Sequence, residues 1–286
     1  CIGSVYAWSI FNTPLQRVLG VVASSSADWT LPQVVRVFTV AIVCLGLCAS
    51  LAGKWIEPVG PRTVGIAAAV LWGAGFLIAA LGIHLHQLWL VNLGYGVVGG
   101  CGLGLGYVSP VSTLIRWFPD RRGMATGMAI MGFGGGALVG APLIKLLLGW
   151  CARAPEYLGA EGTVADLTTS TAGVQFLEVA GQLKEVVVLT AGEAALRGGH
   201  PAAGLYLAGT GDSGVAGTFV ILGIAYFVVM LLAALCYRIP APDWKPAGWT
   251  PPDDELALRK MISTQNVGIG TACRTPQFYL LWIVLC

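Results

Sequence analysis

Five long apolar runs cross this sequence with no charge at their centres, and they limit the fold more than any other feature. They cover about 34–53, 64–83, 88–112, 123–147 and 215–237, with a shorter run at about 1–16 and another beginning near Gln277. Each full run has the roughly 20 residues that an α-helix needs to cross about 30 Å of hydrocarbon, and is too long for a buried strand. Charged residues make up 10% of the 286-residue chain, and hydrophobic residues 56%. Soluble domains carry roughly a quarter charged residues, because exposed positions are normally filled by them. The sequence therefore predicts an integral, multi-pass membrane protein whose lasting partner is the lipid bilayer.

Composition excludes several functions. A net charge of +2 and the lack of any Lys/Arg block give no footprint for nucleic acid. The eight cysteines include no CxxC and no Cys/His cluster. Cys1, Cys44, Cys48, Cys101, Cys236 and Cys286 fall in or beside apolar runs, where a thiol packs as a small hydrophobe. Neither a metal nor an organic cofactor is expected. There is no GxSxG, Walker loop or HExxH, and His84, His86 and His200 lie at or beyond the span ends. The chain is not expected to be an enzyme. It begins and stops inside apolar stretches, which makes it read as a fragment.

Positive charge sets the expected orientation. Lys54, Arg62, Arg116, Arg121, Arg122, Arg238, Lys245, Arg259, Lys260 and Arg274 lie in alternate connections, while Arg17, Arg36 and Lys145 fall toward the opposite ends. The 53–63, 116–122 and 238–275 loops are thus expected to be cytoplasmic. The expected organisation is spans one to five over 1–148, an external excursion over 149–213 and a sixth span over 214–237. A Pro-containing linker over 238–275 and the start of a seventh span over 276–286 complete it. The excursion carries seven acids and a Thr168–Thr171 polar run; a small cap with a strand or short helix and a disordered loop both fit it.

Glycine dominates the fourth and fifth spans: Gly94, Gly96, Gly99, Gly100, Gly102, Gly104 and Gly106, then Gly132, Gly136 and Gly140. Small residues let membrane helices approach closely, which serves static packing and sliding alike.

Two loops carry sharper patterns. Gly53-Lys54-Trp55-Ile56-Glu57-Pro58-Val59-Gly60-Pro61-Arg62 has the spacing G-x-x-x-acid-x-x-G-x-R. It resembles the loop between the second and third helices of the major facilitator superfamily, with Glu for the usual Asp and Pro58 at the first basic position. Arg116-Trp117-Phe118-Pro119-Asp120-Arg121-Arg122-Gly123-Met124-Ala125-Thr126-Gly127 resembles the fourth-to-fifth helix loop of the oxalate/formate antiporter family within that superfamily. Tyr6–Leu15 is similar to that family's first helix, and Arg274–Trp282 to the start of its seventh. Asp120 is placed to cap the following helix.

The resemblance implies an all-α membrane fold: the N-terminal six-helix bundle of a major facilitator superfamily protein, plus the start of a seventh helix. It further implies a secondary transporter of small carboxylates, working by alternating access around a midplane site, as a monomer, with a proton or counter-anion as second partner. Aromatics of the first, fourth and fifth helices would face substrate: Tyr6, Trp8, Tyr107 and Phe133. Gly53, Glu57, Gly60, Arg62, Asp120, Arg121 and Arg122 would form the cytoplasmic gating motif. Val5 and the apolar Ile42–Leu47 stretch replace amides of the oxalate transporter, and Phe133 replaces a Tyr, which favours a monocarboxylate over a dianion. No cation lies at a span centre, and the resemblance implies that the basic substrate ligands belong to a second half. The alternative is a transporter-like receptor or scaffold that binds partners through 149–213.

Overall fold

A computed structural model describes residues 1–160, 167–171, 173–179, 181–196, 202–241, 244–246, 248 and 269–285. The chain divides into a unit Cys1–Ala241 and a second, Pro242–Cys286. In the first unit, a 3-10 segment Ile2–Ala7 runs into α1 (Ser9–Leu15), followed by α2 (Leu31–Val59) and α3 (Pro61–His84). Helix α4 (Leu88–Val91) passes through a π-helical segment Asn92–Gly99 into α5 (Gly100–Trp117). Helices α6 (Arg122–Gly134) and α7 (Gly136–Cys151) form one interrupted span, and α9 (Val215–Leu235) completes the unit's long helices. Among the described residues, five helical stretches are long and apolar enough to cross a membrane: Leu31–Gly53, Pro61–His84, Leu88–Trp117, Arg122–Cys151 and Val215–Leu235. The second unit contains the helix Pro276–Leu285 after a short turn of helix at Ile269–Ala272.

Local chemistry sets the ends. Thr30 and Gln33 form a capping box at the start of α2, with Pro32 in its first turn. The expected 53–63 loop is largely helix: α2 continues to Val59 and α3 starts at Pro61, so the turn is Gly60, whose φ of +82° suits a residue without Cβ. Lys54 and Glu57 made this stretch look like a loop, whereas a helix continues unharmed once its polar residues have left the hydrocarbon. Asp120 does not cap α6; the N-cap is Arg121, and no side chain bonds the free amides there.

The spans meet through glycine. A Cβ on Gly75 would sit 2.7 Å from the backbone of Gly99, and one on Gly94 only 2.5 Å from the Ala79 nitrogen. A Cβ on Gly102 would meet the Trp72 nitrogen at 2.6 Å. Helix α3 therefore lies backbone to backbone with the π segment and α5. On its far side it packs on α9, where Gly73 and Gly223 admit Phe227 and Phe76. Trp72, Phe76, Tyr95, Phe219 and Tyr226 interlock in this core, several of them edge to face.

The 149–213 excursion departs from the all-α bundle and, of the two readings that fitted it, takes that of a small cap with strands and a short helix. Strands β1 (Tyr157–Gly159), β2 (Thr168–Thr169), β3 (Gln175–Val179), β4 (Gln182–Leu189) and β5 (Gly204–Leu207) form an antiparallel sheet in the order β1-β5-β4-β3-β2. Strand β4 supplies the pattern: Val186 packs on one face with Leu177, Leu205 and Leu207, while Val187 and Leu189 pack on the other with Tyr206 and Val22. Helix α8 (Ala191–Leu196) follows, capped by a reciprocal Thr190–Glu193 pair. The Thr190 N–H and hydroxyl both donate to Glu193 and hold its carboxyl below the usual range. A backbone bridge between Arg153 and Asp212 closes the stem.

Two groups of connections gather at opposite ends of the bundle. At one end the Trp117 indole donates to the Arg238 carbonyl at 2.9 Å, and Gly60 lies beside Ile239. At the other, the 16–30 loop touches both the sheet and the α3–α4 turn: Gly209 N–H donates to Leu19, and His86 Nε2 lies 2.8 Å from the Ala27 carbonyl. His86 also stacks on Trp29 at 4.6 Å, so it is a packing residue as well as a boundary one.

Gly94→Ala should overpack the contact between α3 and the π segment and cost about 1–3 kcal/mol. Gly127→Ala, where a new Cβ has nothing within 4 Å, should leave stability unchanged or slightly raised. Thermal unfolding in detergent checks the contrast, and equal midpoints for the two variants would refute the backbone contact.

Candidate functional site

The 3-10 segment lies against the interruption between α6 and α7. Gly3 faces the Phe133 carbonyl and Gly136, while Ser4 lies 3.1 Å from where a Gly140 Cβ would be. Side chains at either glycine would push the segment away. With the backbones in contact, the Tyr6 ring meets Phe133 edge to face at 5.2 Å, and Phe133 meets Tyr107 at 5.3 Å. Three of the four expected aromatics thus form a continuous row drawn from the first segment, α6 and α5. Tyr6 is 54% exposed, and Tyr107 and Phe133 are half-buried.

Trp8 does not join them. It is 4% exposed and packs on Tyr95 at 4.5 Å, with Phe11 and Phe219 beside it. Positions two apart on a helical turn face opposite ways, so Tyr6 and Trp8 cannot share a face. The first segment also holds Val5 fully inside the core. Asn12 was not singled out from the sequence, yet its Oδ1 is buried with no hydrogen-bond partner. Its signal was a lone amide in the apolar run from Ile10 to Leu15.

Tyr107 and Phe133 also line a cavity of about 340 Å³ with Ser109, Met230 and Tyr237. No charged side chain is among its described lining residues. Ser109 is 1% exposed.

The expected gating residues divide between two turns. Gly53 is helical and open to its surroundings, and Gly60 forms the α2–α3 turn. Arg62 is exposed at the second position of α3, and the side chain of Glu57 lies outside the described residues. Asp120 pairs with its neighbour Arg121 at 3.4 Å, and Arg121 and Arg122 are both exposed. This is the one ion pair among the described residues, so no salt bridge joins Arg62 to the 116–122 turn there. The seven described cysteines are all unpaired, and no group of three metal-ligating side chains occurs among the described residues.

Five apolar helical stretches of membrane-spanning length, joined through glycine-lined contacts, define a multi-pass membrane bundle. Residues 2–156, more than half of the chain, match the family model described as Major Facilitator Superfamily. The chain belongs to that superfamily. It is 36% identical over 137 residues to the uncharacterized MFS-type transporter YhjX of Escherichia coli, covering 48% of this chain and 31% of that protein. It is 26% identical over 329 residues to apicoplast pyruvate carrier 1 of Toxoplasma gondii, covering 99% and 54% respectively. Identity to the oxalate:formate antiporter of Oxalobacter formigenes is 28% over 147 residues, covering 51% and 32%. The chain thus spans between about a third and about half of these relatives' own length.

The two aromatics separate in a stability experiment. Trp8→Ala empties a core position and should cost about 3–5 kcal/mol. Tyr6→Ala should cost less than about 1 kcal/mol, since over half its surface is already open. Chemical denaturation in detergent measures both, and a Tyr6 loss as large as that of Trp8 would place Tyr6 in the core as well.

Proposed function

We propose that this chain forms the N-terminal bundle of a secondary carrier of small carboxylates, operating by alternating access. The observation that carries the reading is the Tyr6–Phe133–Tyr107 row, which brings together the first segment and two spans with one end exposed. Two phenol hydroxyls can donate to a carboxylate, and the Phe133 ring between them offers an apolar edge to a short carbon chain. The names of the relatives, a pyruvate carrier and an oxalate:formate antiporter, support the same substrate class.

The substrate is a monocarboxylate such as pyruvate rather than a dianion. Arg36 lies in the second turn of α2 and Lys145 just past the middle of α7, both exposed. An anion at the midplane needs a counter-charge, because an unpaired charge there is costly. One carboxylate needs one such partner, supplied from a second bundle, and a dianion needs more than the row provides. A proton or a counter-anion completes the cycle. The end that carries Gly60, Asp120, Arg121, Arg122 and Arg238 is cytoplasmic, following the bias of basic residues. Arg62 and the Asp120–Arg122 turn act there as gating residues in the closed state, and the carrier works as a monomer.

Uptake of oxalate, formate, lactate and pyruvate into proteoliposomes containing the full-length protein tests this reading. Pyruvate or lactate should saturate at the lowest concentration, and Tyr107→Phe should weaken uptake by about tenfold through loss of one hydrogen bond to charge. Oxalate saturating first would overturn the substrate assignment.

A further inference from the structure

A second cleft lies outside the spans, where the 16–30 loop meets the sheet. It measures about 400 Å³ and is lined by Ser24, Ser25, Ser26, Gln175, Glu185 and Val187, among others. Acceptors outnumber free donors in it. The Ser24 hydroxyl donates to the Gln16 carbonyl at 3.2 Å, and the Ser26 hydroxyl donates to Glu185 Oε2 at 2.8 Å. Glu185 Oε1 accepts the Ser26 N–H at 2.6 Å. These protons are committed, which leaves open the lone pairs of Ser24 and Ser26 and the remaining ones of the Glu185 carboxylate, against the Ser25 hydroxyl and the Gln175 amide as free donors. Two more polar atoms at this cleft are buried with no partner, Gln175 Oε1 and the Oγ of Ser25, a residue only 8% exposed. An unpaired buried polar atom costs free energy that a hydrogen-bonding occupant recovers.

Charge points the same way. Glu185 is the one ionised side chain among the described lining residues, so the cleft carries one negative charge. The nearby Asp28 carboxylate is occupied by the N–H groups of Leu19, Gly20 and Ser25. A divalent metal asks for several hard oxygen ligands, usually including more than one carboxylate, and no cluster of metal ligands occurs among the described residues. The cleft is also far larger than a bare ion, and its remaining wall is apolar: Val174, Val187 and Ala23. One negative charge, surplus acceptors and an apolar wall suit a cation with several N–H donors on a short carbon stem.

We propose that this cleft binds a small primary-ammonium compound, its three N–H donors directed at Glu185 and the serine and glutamine oxygens and its stem against Val187 and Ala23. The site goes beyond the transport reading and is independent of it. Because its walls come from the loop that leaves α1 and from strands β3 and β4, an occupant ties the sheet to the first helix.

Titration of the full chain in detergent with ethylammonium chloride tests it, with sodium chloride, calcium chloride and ethanol at matched concentration as comparisons and thermal unfolding as readout. Ethylammonium should raise the midpoint saturably and the others should not. Glu185→Gln should weaken the apparent affinity about tenfold or more, the scale of a lost hydrogen bond to charge. Gln175→Met leaves the Glu185–Ser26 contact intact and should weaken it several-fold with the unliganded midpoint unchanged. A rise produced equally by sodium or calcium chloride, no rise with ethylammonium, or unchanged affinity in both variants would each overturn the proposal.

Discussion

The bundle depends on backbone contact between α3 and the glycine-rich span beside it. Between membrane helices there is no hydrophobic gain to be had, since lipid tails are as apolar as the side chains. Close van der Waals packing must supply the attraction, and glycine lets the backbones come within reach. Gly75, Gly94 and Gly102 all sit at positions where one added carbon would strike main-chain atoms. The π-helical stretch Asn92–Gly99 lies within this contact, so the irregular hydrogen bonding falls where the side chains are smallest. With α3 held between this span and α9, the aromatic core closes around Trp72, Tyr95 and Phe219.

The same device builds the candidate site. Gly3, Gly136 and Gly140 bring the first segment onto the α6–α7 interruption, and the Tyr6–Phe133–Tyr107 row follows from that approach. At the sheet-bearing end a polar arrangement takes over. Asp28 gathers three backbone amides of the 16–30 loop, and Glu185 and His86 pin that loop from two sides.

Much of this was legible in the sequence. Span positions followed from hydropathy, and the superfamily from the two loop motifs. Tyr6, Tyr107 and Phe133 do meet in space. Other features were hidden for physical reasons. The charged Lys54 and Glu57 mark where a helix leaves the hydrocarbon, and hydropathy cannot tell that from where a helix ends. Trp8 looked equivalent to Tyr6 by residue type, although their spacing sends them to opposite faces. Asp120 had the chemistry of a cap, and its carboxylate instead pairs with Arg121. The sheet was obscured because its strands are two to eight residues long and its register depends on pairings far apart in sequence, such as Val187 with Tyr206. The acceptor-rich cleft depends on the loop between α1 and α2 meeting β4, a contact across 159 positions that no local pattern announces.

The most direct test of the central claim is substrate protection at the aromatic row. In a full-length background lacking the native cysteines, Phe133→Cys would be alkylated by a maleimide with and without pyruvate. Saturating pyruvate should slow labelling several-fold, while the same reagent on a Gly123→Cys variant, at the open start of α6, should react at an unchanged rate. Labelling of Phe133→Cys that ignores every carboxylate offered would contradict the placement of substrate at this row.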